Sequence, residues 1–144
     1  MTDSNFRALL KKLKEAEEKD EVYIEGNIKI PEIYLNRHTG VLQLKGRSLP
    51  ENAKELYLPV IKWIDHYLAN PCDSTSLLFN LEYFNTSSSK MLTEIIKKLK
   101  QLDLSGKTLS VEWHYPSDDE DILELGKTFE EITGQYFTYC PYEG

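Results

Sequence analysis

From Val41 onward, segments with strand periodicity alternate with segments with helix periodicity, and this alternation constrains the fold more than any other feature of the sequence. A strand–helix–strand connection of this length joins parallel strands and is right-handed. The sequence therefore predicts an α/β fold, with a mixed open β-sheet and flanking helices. The strands predicted in this part of the chain are Val41–Lys45, Leu77–Phe84, Leu109–Tyr115 and Tyr136–Tyr139.

Signals at the helix ends support this division. Ser48 and Glu51 have the spacing of a capping box, and Pro50 is tolerated in a first helical turn. Asn70-Pro71 is predicted to end that helix, because the residue before a proline leaves the α region. A second capping box, Ser117-Asp118-Asp119-Glu120, begins the last helix. The inward face of that helix is predicted to hold Ile122, Leu125, Phe129 and Ile132.

Two short extended runs, Val22–Glu25 and Ile28–Leu35, precede Val41 and predict a hairpin together with the next strand. Pro31 has no N–H for a ladder hydrogen bond, so it predicts a sheet edge or the start of a strand. Leu77–Phe84 is mostly apolar and alternates only partly. We therefore expect it to be a central strand that is covered on most of both faces.

The sequence before these strands predicts an amphipathic helix. Residues 1–20 are predicted to be an N-terminal helical extension, and residues 21–144 a single domain. In the simpler interpretation the apolar stripe of this helix, within residues 5–19, packs against the domain. In the alternative it docks on a partner, and the protein is a structural subunit. The stripe consists of Phe6, Leu9, Leu10, Leu13 and Ala16.

The charge balance argues against several classes of partner. The 24 acidic and 17 basic residues give a net charge of −7, whereas binding to nucleic acid or to an anionic membrane requires a basic surface. No apolar run is long enough to span a bilayer, and no signal-peptide pattern is present. Cys72 and Cys140 form neither a disulfide framework nor a CxxC motif. We therefore expect a soluble cytoplasmic protein.

Three polar loops are predicted to meet at one edge of the sheet. Gly46-Arg47-Ser48, Asn85–Ser89 and Pro116–Asp119 each follow a strand and lead into a helix. Ligand sites of open α/β sheets lie at this carboxyl edge. Helix N-termini present free N–H donors and the positive end of the helix dipole, so this edge suits a carboxylate or a phosphate.

Thr86 is the most informative residue of that edge. The simpler interpretation is a helix N-cap, because hydroxyl side chains accept hydrogen bonds from the first N–H groups of a helix. However, four successive hydroxyl residues are more than capping requires. An exposed hydroxyl there is a plausible phosphorylation site, since a phosphate would meet available N–H donors. The predicted phosphoacceptor is Thr86, with Ser87, Ser88 and Ser89 as alternatives.

Other residues of the edge are candidates for binding a partner or a phosphate, namely Arg47, Ser48, Asn85, Asp118, Asp119 and Glu120. Arg47 is either a solvated turn residue or a ligand for phosphate or a partner carboxylate. The acidic run either complements a helix N-terminus or docks a basic partner. It lacks the spacing and central glycine of an EF-hand, so no metal site is predicted.

None of the common nucleophile, zinc-hydrolase or nucleotide-binding motifs occurs, and no cofactor is predicted. We therefore expect no enzymatic activity. The alternative is a small-anion-binding or enzymatic domain that uses the same edge, with Arg47, Thr86 and the acidic residues around its ligand.

Several motifs together resemble the SiaC-type bacterial regulatory phosphoproteins. The likeness extends from about Ile30 to about Phe137, and the motifs occur in the order of that family. They are Pro31-Glu32-Ile33, Gly46–Ala53, Trp63 with Tyr67, Tyr83–Ser88 with Lys90, Trp113-His114-Tyr115, Asp119-Glu120-Asp121 and Gly126.

The resemblance implies a fold similar to STAS domains, the anti-sigma-factor antagonists, and a role in partner switching without catalysis. It implies that Thr86 is phosphorylated by a dedicated Ser/Thr kinase of the histidine-kinase-like ATPase superfamily and dephosphorylated by a PP2C-type phosphatase. The unphosphorylated form would bind and regulate a target such as a diguanylate cyclase, in cyclic-di-GMP and biofilm signalling. Residues 1–20 lie beyond the usual domain of that family.

Overall fold

Every strand of the sheet pairs with the strand that follows it along the chain, so the spatial order is the sequence order. The computed structural model describes residues 3–143. The first three strands form an antiparallel meander, and the last four are parallel to one another. The predicted mixed sheet is confirmed, and the predicted hairpin is a three-stranded meander. The strands are β1 (Glu21–Ile24), β2 (Glu32–Asn36), β3 (Val41–Ser48), β4 (Ser74–Phe84), β5 (Thr108–Pro116) and β6 (Phe137–Tyr142).

One helix precedes the sheet, and three connect its parallel strands. They are α1 (Asp3–Glu15), α2 (Ala53–Leu68), α3 (Thr86–Leu99) and α4 (Glu120–Thr133). A 3₁₀ segment, Lys100–Ser105, continues α3 and ends at Gly106, whose φ of 71° lies in the left-handed region. No helix within residues 3–143 is long and apolar enough to cross a membrane.

The helices cover only one face of the sheet. Along β4, buried side chains such as Leu77 and Phe79 alternate with half-exposed ones such as Leu78. The helices pack in one layer, α1 on α2, α2 on α3 and α3 on α4. All crossovers step in the same direction through the sheet, so right-handed connections place α2, α3 and α4 on the same side. The prediction of a strand covered on both faces is therefore wrong, although β4 is central. We call the uncovered side the open face; it carries Gln43, Leu78, Asn80, Glu112 and Cys140.

The apolar stripe of α1 packs against the rest of the chain. Leu10, Leu13 and Ala16 are buried, and Phe6 is half-buried against the core. The backbone carbonyl of Lys19, beyond the helix, accepts a hydrogen bond from the indole N–H of Trp63 at 2.8 Å. Because the stripe is used within this chain, the structure favours packing over docking on a partner.

The inward face of α4 differs from its prediction. Ile122 and Phe129 are buried, as predicted. However, Leu125 is 39% exposed and Ile132 is 56% exposed. Helical periodicity identified the correct side of the helix. It wrongly assigned Leu125 and Ile132, which flank that side, to the core.

The physical reason is the indole of Trp113 on β5. Its N–H donates a hydrogen bond to the carbonyl of Ile122 at 2.9 Å. A Cβ added to Gly126 would lie 2.7 Å from the ring nitrogen, so only glycine lets the helix backbone approach this closely. Gly126 and Thr133 consequently occupy the buried face in place of the two larger residues.

Candidate functional site

The ends of β3 and β4 lie side by side, with Ser48 paired to Phe84. Ser48 is the last residue of its strand, and α2 begins five residues later with Asn52 as N-cap. The side-chain oxygen of Asn52 accepts a hydrogen bond from the N–H of Glu55 at 3.0 Å. The predicted capping box of Ser48 and Glu51 is therefore wrong, because the chain is still in the strand at Ser48.

Asn85 connects β4 to α3 and is the N-cap of that helix. Its Oδ1 accepts a hydrogen bond from the backbone N–H of Ser88 at 2.9 Å. Its amide nitrogen donates to the carbonyl of Pro50 at 3.0 Å, which fixes the helix start to the loop before α2. The interpretation of Thr86 as the cap is therefore wrong, since the residue before it satisfies this role.

Thr86 is the first residue of α3 and is exposed to solvent. Its hydroxyl makes no hydrogen bond with any residue in the part of the chain that the structure describes. The first N–H groups of a helix have no intrahelical partner, and the first turn of α3 contains no acidic residue. The surroundings of this hydroxyl therefore suit an anionic group.

The three serines that follow differ in their access to solvent. Ser87 is exposed, but its hydroxyl donates to the Oδ1 of Asn85 at 3.1 Å. Ser88 is fully buried. Ser89 is half-buried and its hydroxyl donates to the carbonyl of Asn85 at 3.3 Å. Among the four candidate hydroxyls, that of Thr86 is exposed and without a hydrogen-bond partner between residues 3 and 143.

A buried hydroxyl chain holds the start of α3 in place. The hydroxyl of Ser48 lies 2.5 Å from that of Tyr57 on α2 and 2.9 Å from that of Ser88. All three residues are buried, and burial raises the pKa of Tyr57 above its ordinary value. Ser48 was predicted to contact a phosphate or a partner. Its hydroxyl instead lies inside the protein and joins β3, α2 and α3.

Arg47 lies beside this junction. It pairs across the sheet with Tyr83, whose side chain is 56% exposed. The guanidinium is exposed and forms no ion pair with any residue between 3 and 143. It is therefore available to an anionic ligand, and its role as a ligand for phosphate or a partner carboxylate stays a prediction.

The acidic run begins α4 at the end of β5. Asp119 is the N-cap, and its Oδ1 accepts a hydrogen bond from the N–H of Ile122 at 3.0 Å. The second predicted capping box is therefore displaced by two residues, from Ser117 to Asp119. Asp118 and Glu120 are exposed. No hydrogen bond or ion pair within the described residues joins this run to Thr86 or Arg47, so a shared binding surface stays a prediction.

A shallow pocket of about 300 Å³ lies on the open face. Its single lysine is accompanied by a glutamate, so the lining has no net positive charge and does not favour an anionic substrate. The pocket therefore gives no support to the alternative of a small-anion site. Its lining residues are Lys45, Gly46, Asn80, Glu82 and Tyr142.

Comparison with known proteins identifies the family. The model of the SiaC family of regulatory phosphoproteins matches residues 24–142. This chain belongs to the SiaC family. The resemblance seen in the sequence motifs is thereby confirmed. Because the match begins at residue 24, helix α1 lies outside it, and the predicted division between residues 20 and 21 stays a prediction.

Similar proteins come from Pseudomonas aeruginosa. An uncharacterized protein of strain UCBPP-PA14 is 34% identical over 111 residues, which are 77% of this chain and 88% of that protein. The solved structure of apo-SiaC is similar with a TM-score of 0.75 and 32% identity, covering 83% of this chain and 98% of that one. SiaC in complex with the diguanylate cyclase SiaD, which it activates, gives a TM-score of 0.78 and 32% identity, covering 84% and 99%.

These similarities confirm the mixed α/β fold with flanking helices and membership of a regulatory phosphoprotein family. The similarity to STAS domains stays a prediction. The kinase and the phosphatase also stay predictions, as does the phosphoacceptor.

Proposed function

We propose that this SiaC-family chain is a non-enzymatic partner-switching regulator whose binding is controlled by reversible phosphorylation of Thr86. The observation that carries the proposal is the division of roles at the start of α3. Asn85 caps the helix, and the exposed hydroxyl of Thr86 makes no hydrogen bond within the described residues. The family description, a regulatory phosphoprotein, supports a modification of this kind.

A phosphate on Thr86 would change the surface strongly without disturbing the core. It adds about −1.5 to −2 charges at neutral pH and three acceptor oxygens. The N–H groups of the first turn of α3 are the donors available to it, and in this proposal the guanidinium of Arg47 is a further ligand for the phosphate. The buried chain of Ser48, Tyr57 and Ser88 lies beneath and would remain intact.

The unphosphorylated form is the one that binds the target in this proposal. The target is a protein of the diguanylate cyclase class, as in the solved complex of SiaC with SiaD. In this proposal a Ser/Thr kinase with the histidine-kinase-like ATPase fold adds the phosphate, and a PP2C-type phosphatase removes it. Asp118, Asp119 and Glu120 contribute a permanently acidic surface for basic groups of the partner.

Phosphopeptide mapping tests the acceptor. The full-length chain is incubated with ATP and the kinase of this class encoded nearest to it. One phosphate is expected, on Thr86, and none on a Thr86→Ala variant. Ser87→Ala is the matched control, because Ser87 is the neighbouring exposed hydroxyl, and it is expected to accept phosphate normally. Unchanged incorporation into Thr86→Ala would overturn the assignment.

A binding measurement tests the switch. Titration calorimetry compares the phosphorylated and unphosphorylated forms against a diguanylate cyclase encoded near the chain. A coupling of roughly 1–3 kcal/mol weakens the phosphorylated form by about 5–150-fold. Thr86→Ala, after kinase treatment, is expected to bind like the unphosphorylated protein. Equal affinities of the two wild-type forms for a target that binds would contradict the switch, even if Thr86 is the acceptor.

A further inference from the structure

Three side chains with metal-binding donor atoms meet on the open face, away from the strand ends used in the proposed function. They are Glu112 and His114 on β5 and Cys140 on the edge strand β6. His114 and Cys140 are direct cross-strand partners, and Glu112 lies two residues before His114 on the same face. The strand register therefore brings together residues that are far apart in the sequence.

The donor atoms face one another at short range. Glu112 Oε1 lies 3.0 Å from His114 Nε2, and the thiol of Cys140 donates to the same oxygen at 3.8 Å. All three donor atoms lie within 4.8 Å of one another. Metal–ligand bonds of about 2.0–2.3 Å in a tetrahedral arrangement place donor atoms about 3.5 Å apart. The observed separations fit a small cation held between them after side-chain adjustments of about an ångström.

We propose that Glu112, His114 and Cys140 form a site for Zn²⁺ that joins the last strand to the sheet. A thiolate, an imidazole and a carboxylate are all zinc ligands, whereas the hard cations Mg²⁺ and Ca²⁺ prefer oxygen ligands alone. Three protein ligands leave a fourth coordination position, which the half-exposed cluster opens to solvent. Binding displaces the thiol proton of Cys140 to the solvent and leaves the cysteine as a thiolate ligand.

Cobalt substitution provides a direct test, because Co²⁺ takes the same tetrahedral ligands and reports them spectroscopically. Untagged, reduced, full-length protein is titrated with Co²⁺. The expected result is an equimolar complex with a thiolate-to-cobalt charge-transfer band in the near ultraviolet. Zn²⁺ is expected to abolish this band by displacement.

Two cysteine variants separate the site from adventitious binding. Cys140→Ser is expected to lose the charge-transfer band and at least about 10-fold of Zn²⁺ affinity. Cys72→Ser is the matched control, since Cys72 is the other free cysteine and its thiol contacts the carbonyl of Arg37 instead. Cys72→Ser is expected to keep the charge-transfer band and the wild-type affinity for Zn²⁺. His114→Ala is expected to weaken binding while retaining a thiolate band.

Thermal unfolding with and without Zn²⁺ supplies a second readout. Zinc is expected to raise the Tm of wild type and Cys72→Ser, and to raise that of Cys140→Ser by less. A cobalt complex without a thiolate band, or a band that persists in Cys140→Ser, would overturn the proposal. Absence of binding by the folded, reduced wild type would overturn it as well, and Glu112 and His114 would then be a surface ion pair.

Discussion

The N-termini of α3 and α4 are capped in the same way but differ in electrostatic character. Each helix follows a parallel strand, and each is capped by an Asx side chain that accepts a hydrogen bond from the N–H three residues later. The first turn of α3 contains no acidic residue, whereas that of α4 contains Glu120 and Asp121. Carboxylates complement the dipole of α4, whereas the first turn of α3 contains none, and in our proposal a phosphate on Thr86 supplies the negative charge there. One terminus is therefore suited to a switch and the other to a constant surface.

The largest expected effect comes from breaking the support of α4. Gly126→Ala places a methyl group 2.7 Å from the Trp113 indole, so helix and ring must move apart. We expect this overpacking to lower the free energy of unfolding by about 1–3 kcal/mol. Urea denaturation measures the loss. Lys127→Ala, on the exposed side of the same helix, is the control and is expected to change stability by less than about 0.5 kcal/mol. Equal free energies of unfolding for the two variants would show that the close approach of α4 to the Trp113 indole is not required.

The next comparison removes each cap in turn. Replacing an Asx cap by alanine costs about 0.5–2 kcal/mol. Asn85→Ala is expected to lie at the upper end of this range and to exceed Asp119→Ala, because Asn85 also donates to the carbonyl of Pro50. Chemical denaturation of both variants under identical conditions gives the ranking. A larger loss for Asp119→Ala would mean that the link to Pro50 contributes little.

The smallest effects come from exchanging charges at the two termini. Thr86→Asp adds a carboxylate to the N-terminus of α3, whose first turn contains no acidic residue. Its free energy of unfolding is expected to exceed that of Thr86→Asn by about 0.3–1 kcal/mol. Glu120→Gln removes a carboxylate from the N-terminus of α4. It is expected to lower the free energy of unfolding by about 0.3–1 kcal/mol. Both differences should shrink as salt is added, because both positions are exposed. Shifts of the same sign at the two termini would refute the electrostatic contrast.

Periodicity in the sequence predicted the elements of the parallel half and their order. It did not predict which face of the sheet is covered, because alternation in β4 is blurred by Leu78, an apolar residue on the open face. Periodicity identified the correct side of α4, with Ile122 and Phe129 buried, but it wrongly added Leu125 and Ile132 to the core. The need for Gly126 arises from Trp113 on another element, and a helical wheel contains no information about a ring packed against its backbone.

The candidate site was predictable in place but not in detail. Loop position and hydroxyl content pointed to Thr86, yet three adjacent residues can each cap a helix, and only the structure separates Asn85 from its neighbours. The burial of Ser48 could not be predicted from its own position, because its hydroxyl contacts Tyr57 and Ser88 on two other elements. The cluster of Glu112, His114 and Cys140 was missed, because its single sequence signal is a two-residue spacing within one strand.

The sequential strand order has a consequence for how the chain assembles. Each new strand adds to the edge formed by its predecessor, so no strand has to insert between two that are already paired. The sheet can therefore grow in the direction of ribosomal synthesis, with the local antiparallel meander as its starting template. Among the described strands β6 emerges last, and until it pairs, β5 is the exposed edge of the sheet. A cation that joins these two strands would bind only after β6 has paired with β5.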